Sequence, residues 1–451
     1  MLLVFSKVIM IAGSLAMLVS AMLPTYVLAA YSIFRPLLQP FSFLQYQVFG
    51  LPISLPFSII IAGLGAVYIS IKPGWRISTD KAGFLTAFMV MGLLSTAFSM
   101  DVGVSFIALS KLASVWFIFN IAYNAIKEKE DLNVLLYGLV FSSIIPILIG
   151  FYQSLTGQYD FLLDATVDRL SSVFGVGNAY GIFLSIITSA VVILLLNAET
   201  RKKRIFLMVV LVSIIVSQVL ALNRGTWLAL GGGFIVAAYK YRRYISLKWV
   251  VVLAVFIIIF FSKTIYDRFG DLENRVRYSG KNTLEGRIEY WKEILPLIAK
   301  KPLTGYGVGT TGIVSVKYLH TTEIPHNDFI RIALETGIIG VLLYFLFLIK
   351  LVFYFLTRPL NKELWPYNFA ILMMSCYFIV ISATQNVVYN LINFPAFLIM
   401  IAIGIKVNEL SYIRQPDGSG HEQDGSDSME NNDSNSINKN NLTTQRYPKL
   451  K

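Results

Sequence analysis

Apolar runs of roughly 20 residues, broken by short polar joints, recur from the first residues to position 406. That length matches the hydrocarbon thickness of a bilayer crossed by a helix, and the repetition predicts a polytopic helical membrane protein. About twelve spans are expected, at 7–30, 51–71, 82–98, 104–126, 132–152, 176–198, 205–222, 226–240, 247–262, 328–350, 366–388 and 391–406. The first, with Lys7 ahead of its apolar core, has the outline of a secretory signal, but its length and the spans behind it mark it as uncleaved. Two stretches break the pattern. Residues 263–327 form one long polar insertion, and the segment after Ile413 is Asn, Ser, Asp and Gly with almost nothing to bury. The expected architecture is all-α: transmembrane helices in 1–262, a large, partly helical outer loop in 263–327, further transmembrane helices in 328–408 and a disordered cytoplasmic tail in 409–451. No internal repeat and no pair of interrupted helices is evident in the pattern.

Within the loop, Asn282 and Glu285 form an N-cap pair opening an amphipathic helix, on which Arg287 and Trp291 lie one turn apart on a shared face. After Pro302, Gly305, Gly307, Gly309 and Gly312 are expected to break any helix. Pro325-His326-Asn327-Asp328 then leads directly into the next apolar run, with Glu335 about two turns inside it. A carboxylate at that depth is a functional-site candidate by its position alone.

Composition supports the membrane reading. The chain is 56% hydrophobic and 14% charged over 451 residues, with mean hydropathy +0.65. Its net charge of +12 would suggest nucleic acid in a soluble protein, but the basic residues bunch at span ends, where they set topology. Counting from an inside N-terminus, alternate joints carry Lys72, Arg76 and Lys81; Lys127 and Lys129; Arg201, Lys202, Lys203 and Arg204; Lys240, Arg242 and Arg243; Lys350, Arg358 and Lys362; and Lys406. The remaining short joints hold little beyond Arg35, Arg169 and Arg224. Both termini are thus predicted cytoplasmic and the 263–327 loop external. The single cysteine, Cys376, lies in an apolar run and reads as a small buried residue.

The candidate chemistry falls on the outer side: Arg224 in LNRGTW, Arg287 in the loop helix, His326 at the loop's end, and Arg169 and Asn178 flanking another outer junction. An arginine at a membrane boundary commonly just reaches for headgroups. Arginines converging from separate elements would instead suit a diphosphate, whose oxygens the planar guanidinium bonds two at a time. A neutral His326 could take a proton from a hydroxyl, or merely cap its helix; His320 ranks second, and Asp328, Glu323 and Glu335 are carboxylates that could orient it or act as base. Gly307–Gly312 fits G-x-G-x-x-G literally, but no strand-helix unit surrounds it, so dinucleotide binding is rejected; its amides could approach a phosphate instead. No metal-ligand spacing, Walker loop or nucleophile elbow occurs.

The pattern GRIEYWKEILPLIAKKPLTGYGVGTTG followed by HNDFIRIALETGIIG resembles the signature domain of the O-antigen ligase and polymerase family. LNRGTW is similar to that family's outer Ser/Asn-Arg-Gly element, with Asn223 where many members have Ser, and DRLSSVFGVGNAYG to the stretch preceding it. The resemblance implies a glycosyltransferase that transfers a glycan from an undecaprenyl-diphosphate-linked donor to an acceptor hydroxyl at the outer leaflet of the bacterial cytoplasmic membrane. Polymerisation of surface polysaccharide is the leading expectation, ligation to lipid A core the alternative, and a lipid-linked oligosaccharide flippase or a non-catalytic scaffold more distant. Under it, Arg224 and Arg287 would hold the diphosphate and His326 would be general base. Arg169, Asn178, Trp291, Asn327, Asp328 and Glu335 would contact substrate. No metal or cofactor is expected. The expected partners are the lipid-linked oligosaccharide, the bilayer and a chain-length regulator protein, with no nucleic acid.

Overall fold

The computed structural model describes residues 24–40, 47–48, 51–52, 54–72, 74–75, 77–157, 170–246 and 283–413. Among them the chain is helical, apart from a two-residue antiparallel pair, β1 (Gln47–Val48) and β2 (Leu51–Pro52). The helices in order are α1 (Pro24–Leu37), α2 (Ser54–Ile71), α3 (Thr79–Ala97), α4 (Val102–Ala125), α5 (Lys129–Ser142), α6 (Ile144–Thr156), α7 (Gly177–Leu196), α8 (Arg201–Leu220) and α9 (Arg224–Lys240). There follow α10 (Thr283–Lys300), the short α11 (Thr311–Val314) with a π turn at Ser315–Leu319, α12 (Asp328–Thr357), α13 (Trp365–Thr384) and α14 (Asn393–Ile413).

Seven segments among the described residues are long and apolar enough to cross a membrane: α4, α5 with α6 as Lys129–Thr156, α7, α8, α12, α13 and Asn393–Ser411 of α14. The chain is an integral membrane protein on that ground. The expected count of about twelve is not confirmed among the described residues. Ile59–Ser70 and Ala82–Ala97 are apolar but short, and α9, with 17 residues, falls below a full crossing. The expected spans at 7–30, for its first part, and 247–262 lie outside the described residues, as do Asn282 and residues 263–282 of the loop. The final helix runs to Ile413, past the 408 boundary.

Sequence explains several element ends. Asp101 Oδ1 accepts from the Val104 amide and starts α4, Thr200 accepts from Lys203 to start α8, and Glu128 with Asp131 forms a capping box at α5. The centre is formed by α7, α13 and α14, whose most apolar windows are 72%, 72% and 78% buried, against 33% for α8 and α12. Close helix contacts rest on small residues: a Cβ at Gly233 of α9 would lie 2.3 Å from the Met373 carbonyl oxygen of α13, and one at Gly138 of α5 would lie 2.7 Å from Ala29 of α1. Phe378 stacks on Phe397 at 3.8 Å, and Asn368 and Asn408 exchange hydrogen bonds, joining α13 to α14. Outer faces carry bare apolar side chains such as Leu228 and Ile235, as a lipid-facing surface requires.

One span is interrupted, which the sequence pattern did not reveal. Gly337, at φ 76°, breaks α12. Ile338 N–H turns to the Pro302 carbonyl at 2.7 Å, while the Leu334 and Glu335 carbonyls accept from Tyr306 and Gly307, each at 2.9 Å. The Pro302–Gly307 turn thus satisfies the backbone groups that the break releases, as an apolar setting demands. A Cβ on Gly337 would stand 2.5 Å from the Leu303 oxygen, so glycine is needed there for both space and φ.

Candidate functional site at one end of the bundle

The site is assembled at the C-terminal end of α13. Leu222, at φ 52°, turns the chain out of α8, and Asn223 caps α9 by accepting from Thr226 N–H at 3.3 Å while its Nδ2 donates to the Asn178 carbonyl at 3.4 Å. Arg224 is therefore the first residue of α9. The same turn abuts α13, since a Cβ on Gly225 would lie 3.5 Å from Thr384 Oγ1.

From the other side, α10 delivers Arg287, whose Nη1 donates to the Thr384 carbonyl at 3.2 Å. A cation at helical carbonyls is favourable. The Arg287 guanidinium and the turn that carries Arg224, far apart in sequence, thus both pack at Thr384 of α13. Arg287 is half-buried and its Nε is sealed from solvent with no partner among the described residues. Burial lowers its pKa from the usual guanidinium value.

Two neighbours of Arg287 fix the chain beside His326. Tyr290 OH donates to the Glu323 carbonyl and Trp291 Nε1 to the Pro325 carbonyl, both at 2.7 Å. Asn327 then caps α12, its Oδ1 accepting from Phe329 and Ile330 N–H at 2.9 and 3.2 Å. His326 sits between these anchors in left-handed backbone space, φ 47°, an outlier held only because both sides are pinned. Burial pushes its imidazole pKa down to about 4, and the nearby Arg287 charge adds to the effect. At neutral pH the ring is uncharged and keeps a lone pair, while the same burial makes it a weaker base than a free imidazole. His320 also has a left-handed backbone but is exposed, at the end of the π turn.

Glu335 is buried and fully engaged. Its Oε1 accepts from Thr311 Oγ1 at 2.6 Å and Arg331 Nε at 3.0 Å, and its Oε2 from Tyr389 OH. Arg331 also lies over the Tyr389 ring at 4.3 Å. Asp328 Oδ2 accepts from Val387 and Val388 N–H at 2.9 and 3.2 Å. These contacts hold the 385–392 connection against α12. Asn178 Nδ2 reaches Gln385 Oε1 at 3.3 Å, tying α7 to the same connection.

The expected contact residues thus divide. Arg224, Arg287 and His326 are brought to one end of the bundle. Asn178 Nδ2, Trp291 Nε1, Asn327 Oδ1, both oxygens of Glu335 and one oxygen of Asp328 bond to protein and so position the site's segments. A buried polar group must find a partner, and here the nearest ones are backbone and side chain. Arg169 lies outside the described residues. The glycine amides are committed as well: Gly305 N–H donates to Lys301 and Gly307 N–H to Glu335, so these do not face a phosphate. Gly305, Gly307 and Gly309 all have positive φ, but Gly312 lies inside α11 rather than breaking it.

Sequence reasoning missed Arg331, Thr384, Gln385, Asn386 and Tyr389. The available signal was the polar run Thr384-Gln385-Asn386 followed by Tyr389-Asn390 and Asn393, hidden between two apolar stretches. Among the described residues no three His, Cys, Asp or Glu side chains gather where a metal ion could be held.

The opposite end differs in chemistry. Lys240, at the far end of α9, donates to the Leu356 carbonyl and to that of Arg358 at 2.7 Å. Expected inner-side groups therefore gather away from Arg224 and Arg287.

Comparison with known proteins fits this geometry. The chain is 22% identical over 269 residues to the ComP-specific O-oligosaccharyltransferase of Acinetobacter baylyi, a match covering 55% of this chain and 47% of that protein. The chain thus spans about half the length of the curated relative it matches. The sequence model of the O-antigen ligase family matches residues 216–345, which contain Arg224, Arg287 and His326 and the α10 helix that positions two of them. Residues 216–345 of this chain are similar to the O-antigen ligase domain.

Proposed function

We propose that this chain is a membrane glycosyltransferase that uses a glycan on a lipid diphosphate as donor and polymerises surface polysaccharide. The observation that carries the reading is the bond from Arg287 to the Thr384 carbonyl, with the turn that begins at Arg224 packed on the same residue and His326 on the loop pinned by the Arg287 helix. The acceptor hydroxyl oxygen forms a bond to the anomeric carbon as the bond from that carbon to the phosphate oxygen breaks. The electron pair leaves with the lipid diphosphate, where two guanidinium groups stabilise the charge that develops. The hydroxyl proton passes to His326. Undecaprenyl diphosphate as the lipid, the outer face of the cytoplasmic membrane as the location, and catalysis without a metal belong to the same proposal. A flippase reading gains less support, because the clustered Arg and His lie at one end of the bundle rather than midway across it.

Ligation is the second reading, favoured by the description of the matched family and by the relative, whose name is that of an O-oligosaccharyltransferase. A strain lacking this chain separates the two when its surface polysaccharide and lipid-linked intermediates are resolved on a gel. Single-repeat glycan alone means that polymerisation is missing. Full-length glycan held on lipid diphosphate means that transfer to the final acceptor is missing. An unchanged profile overturns both.

A further inference from the structure

Asn386 follows α13 by two residues, in the connection to α14. Its Oδ1 and Nδ2 are both sealed from solvent and neither has a partner among the described residues. A buried carboxamide left unpaired at both ends is costly, and folded proteins rarely keep one without a use. Its surroundings are already fixed. Thr384, two residues before it, accepts from Arg287, and Gln385 accepts from Asn178. On the other side the Val387 and Val388 amides are held by Asp328. The backbone on both flanks is therefore clamped while the side chain between the clamps is unused. Two further sealed atoms border the same connection, Arg287 Nε and Asp328 Oδ1, also without partners among the described residues.

We infer that Asn386 recognises the sugar attached directly to the donor's diphosphate, its carboxamide bonding a pair of neighbouring ring hydroxyls. This rests on the function proposed above and extends it. A carboxamide offers one acceptor and a donor side by side, which suits a vicinal diol, where each hydroxyl can both give and take. The position follows from Arg287: a diphosphate held there places the first sugar within reach of the connection that begins at Thr384. Asn386 also lies outside residues 216–345, the part that carries the family match. The competing role is internal, with Nδ2 turning to Asp328 Oδ1 and Oδ1 to Arg287 Nε, so that Asn386 merely steadies the arginine.

Binding to two probes separates these roles. The full chain in lipid nanodiscs is titrated with undecaprenyl diphosphate carrying no sugar, and with the lipid-linked glycan extracted from a strain lacking this chain. For the native protein the glycan-bearing lipid should bind more tightly than the bare one. Asn386→Ala should weaken binding of the glycan-bearing lipid roughly tenfold, the worth of two neutral hydrogen bonds, and leave the bare diphosphate within about twofold. Arg287→Ala should weaken both. Equal weakening of both probes by Asn386→Ala would assign the residue to steadying Arg287 and overturn the inference, as would no change in either. If the native chain binds neither probe, the donor assignment itself fails, separately from Asn386. Asn386→Asp, close in shape, guards against misfolding: its carboxylate retains acceptors but no donor, so the glycan preference should fall there too, and a retained preference would overturn the inference.

Discussion

His326 combines a left-handed backbone with an imidazole whose pKa is pushed down to about 4 from the ordinary value near 6.5. The folded state therefore resists protonation more than the unfolded chain does. The stability this site contributes is fully present above about 6.5 and is lost as pH falls from there towards 4. For the proposed base, turnover limited by this group should stay level from pH 8 down to about 5 and decline as pH approaches 4. A pH–rate profile of the purified enzyme checks this, and an inflection near 6.5 would show that the ring is not held as described. Arg287 supports a second expectation at the same scale. Replacing it by lysine keeps a charge but removes the planar fork, so Arg287→Lys should lower the transfer rate by about tenfold or more while leaving the protein folded. Transfer at the native rate in that variant would rule out a bidentate hold on phosphate.

At the scale of elements, the site depends on a broken helix. The break at Gly337 lets the Pro302–Gly307 turn dock on α12, and Glu335, just before it, ties Thr311 to Tyr389. Gly337→Ala would bring a Cβ within 2.5 Å of the Leu303 oxygen at a φ of 76°. The backbone strain alone is about 1–3 kcal/mol, and the collision adds to it. The variant should show a clearly lower unfolding midpoint in detergent and little activity. Gly312→Ala is the control. It meets nothing within 4 Å and sits in a short helix, so stability should be unchanged or higher by about 0.5–1 kcal/mol. Equal behaviour of the two variants would remove Gly337 from the account. Helix α10 acts in the same way on the site: Tyr290 and Trp291 hold the chain before His326 while Arg287, on the same helix, reaches α13. One element thus sets the distance between the proposed base and the proposed phosphate contact.

For the whole molecule, the two ends of the bundle should face opposite sides of the membrane, the Arg224, Arg287 and His326 end outward. With Cys376 replaced by serine, a cysteine put at His320 should react with a membrane-impermeant maleimide in intact spheroplasts, whereas one at Ser426 should react only after lysis. The reverse pattern would invert the topology and place the site on the side of nucleotide-activated sugars rather than that of the proposed donor.

The membrane-protein class, the basic bias at span ends and the candidates Arg224, Arg287 and His326 were legible in the sequence, because each depends on local composition or on a short run of residues. Apolar length selects a bilayer whatever the neighbours are. What tertiary structure alone decided was which polar groups were spoken for. It is α12 that brings Glu335 to Thr311, Arg331 and Tyr389, and one oxygen of Asp328 to the 387–388 amides, pairings that no local run of residues announces. Asn386 looked like the end of a span until the same contacts clamped its neighbours and left its own carboxamide unused. Hydrogen-bond satisfaction is a property of groups distant in sequence and close in space, so only the packed bundle could assign it.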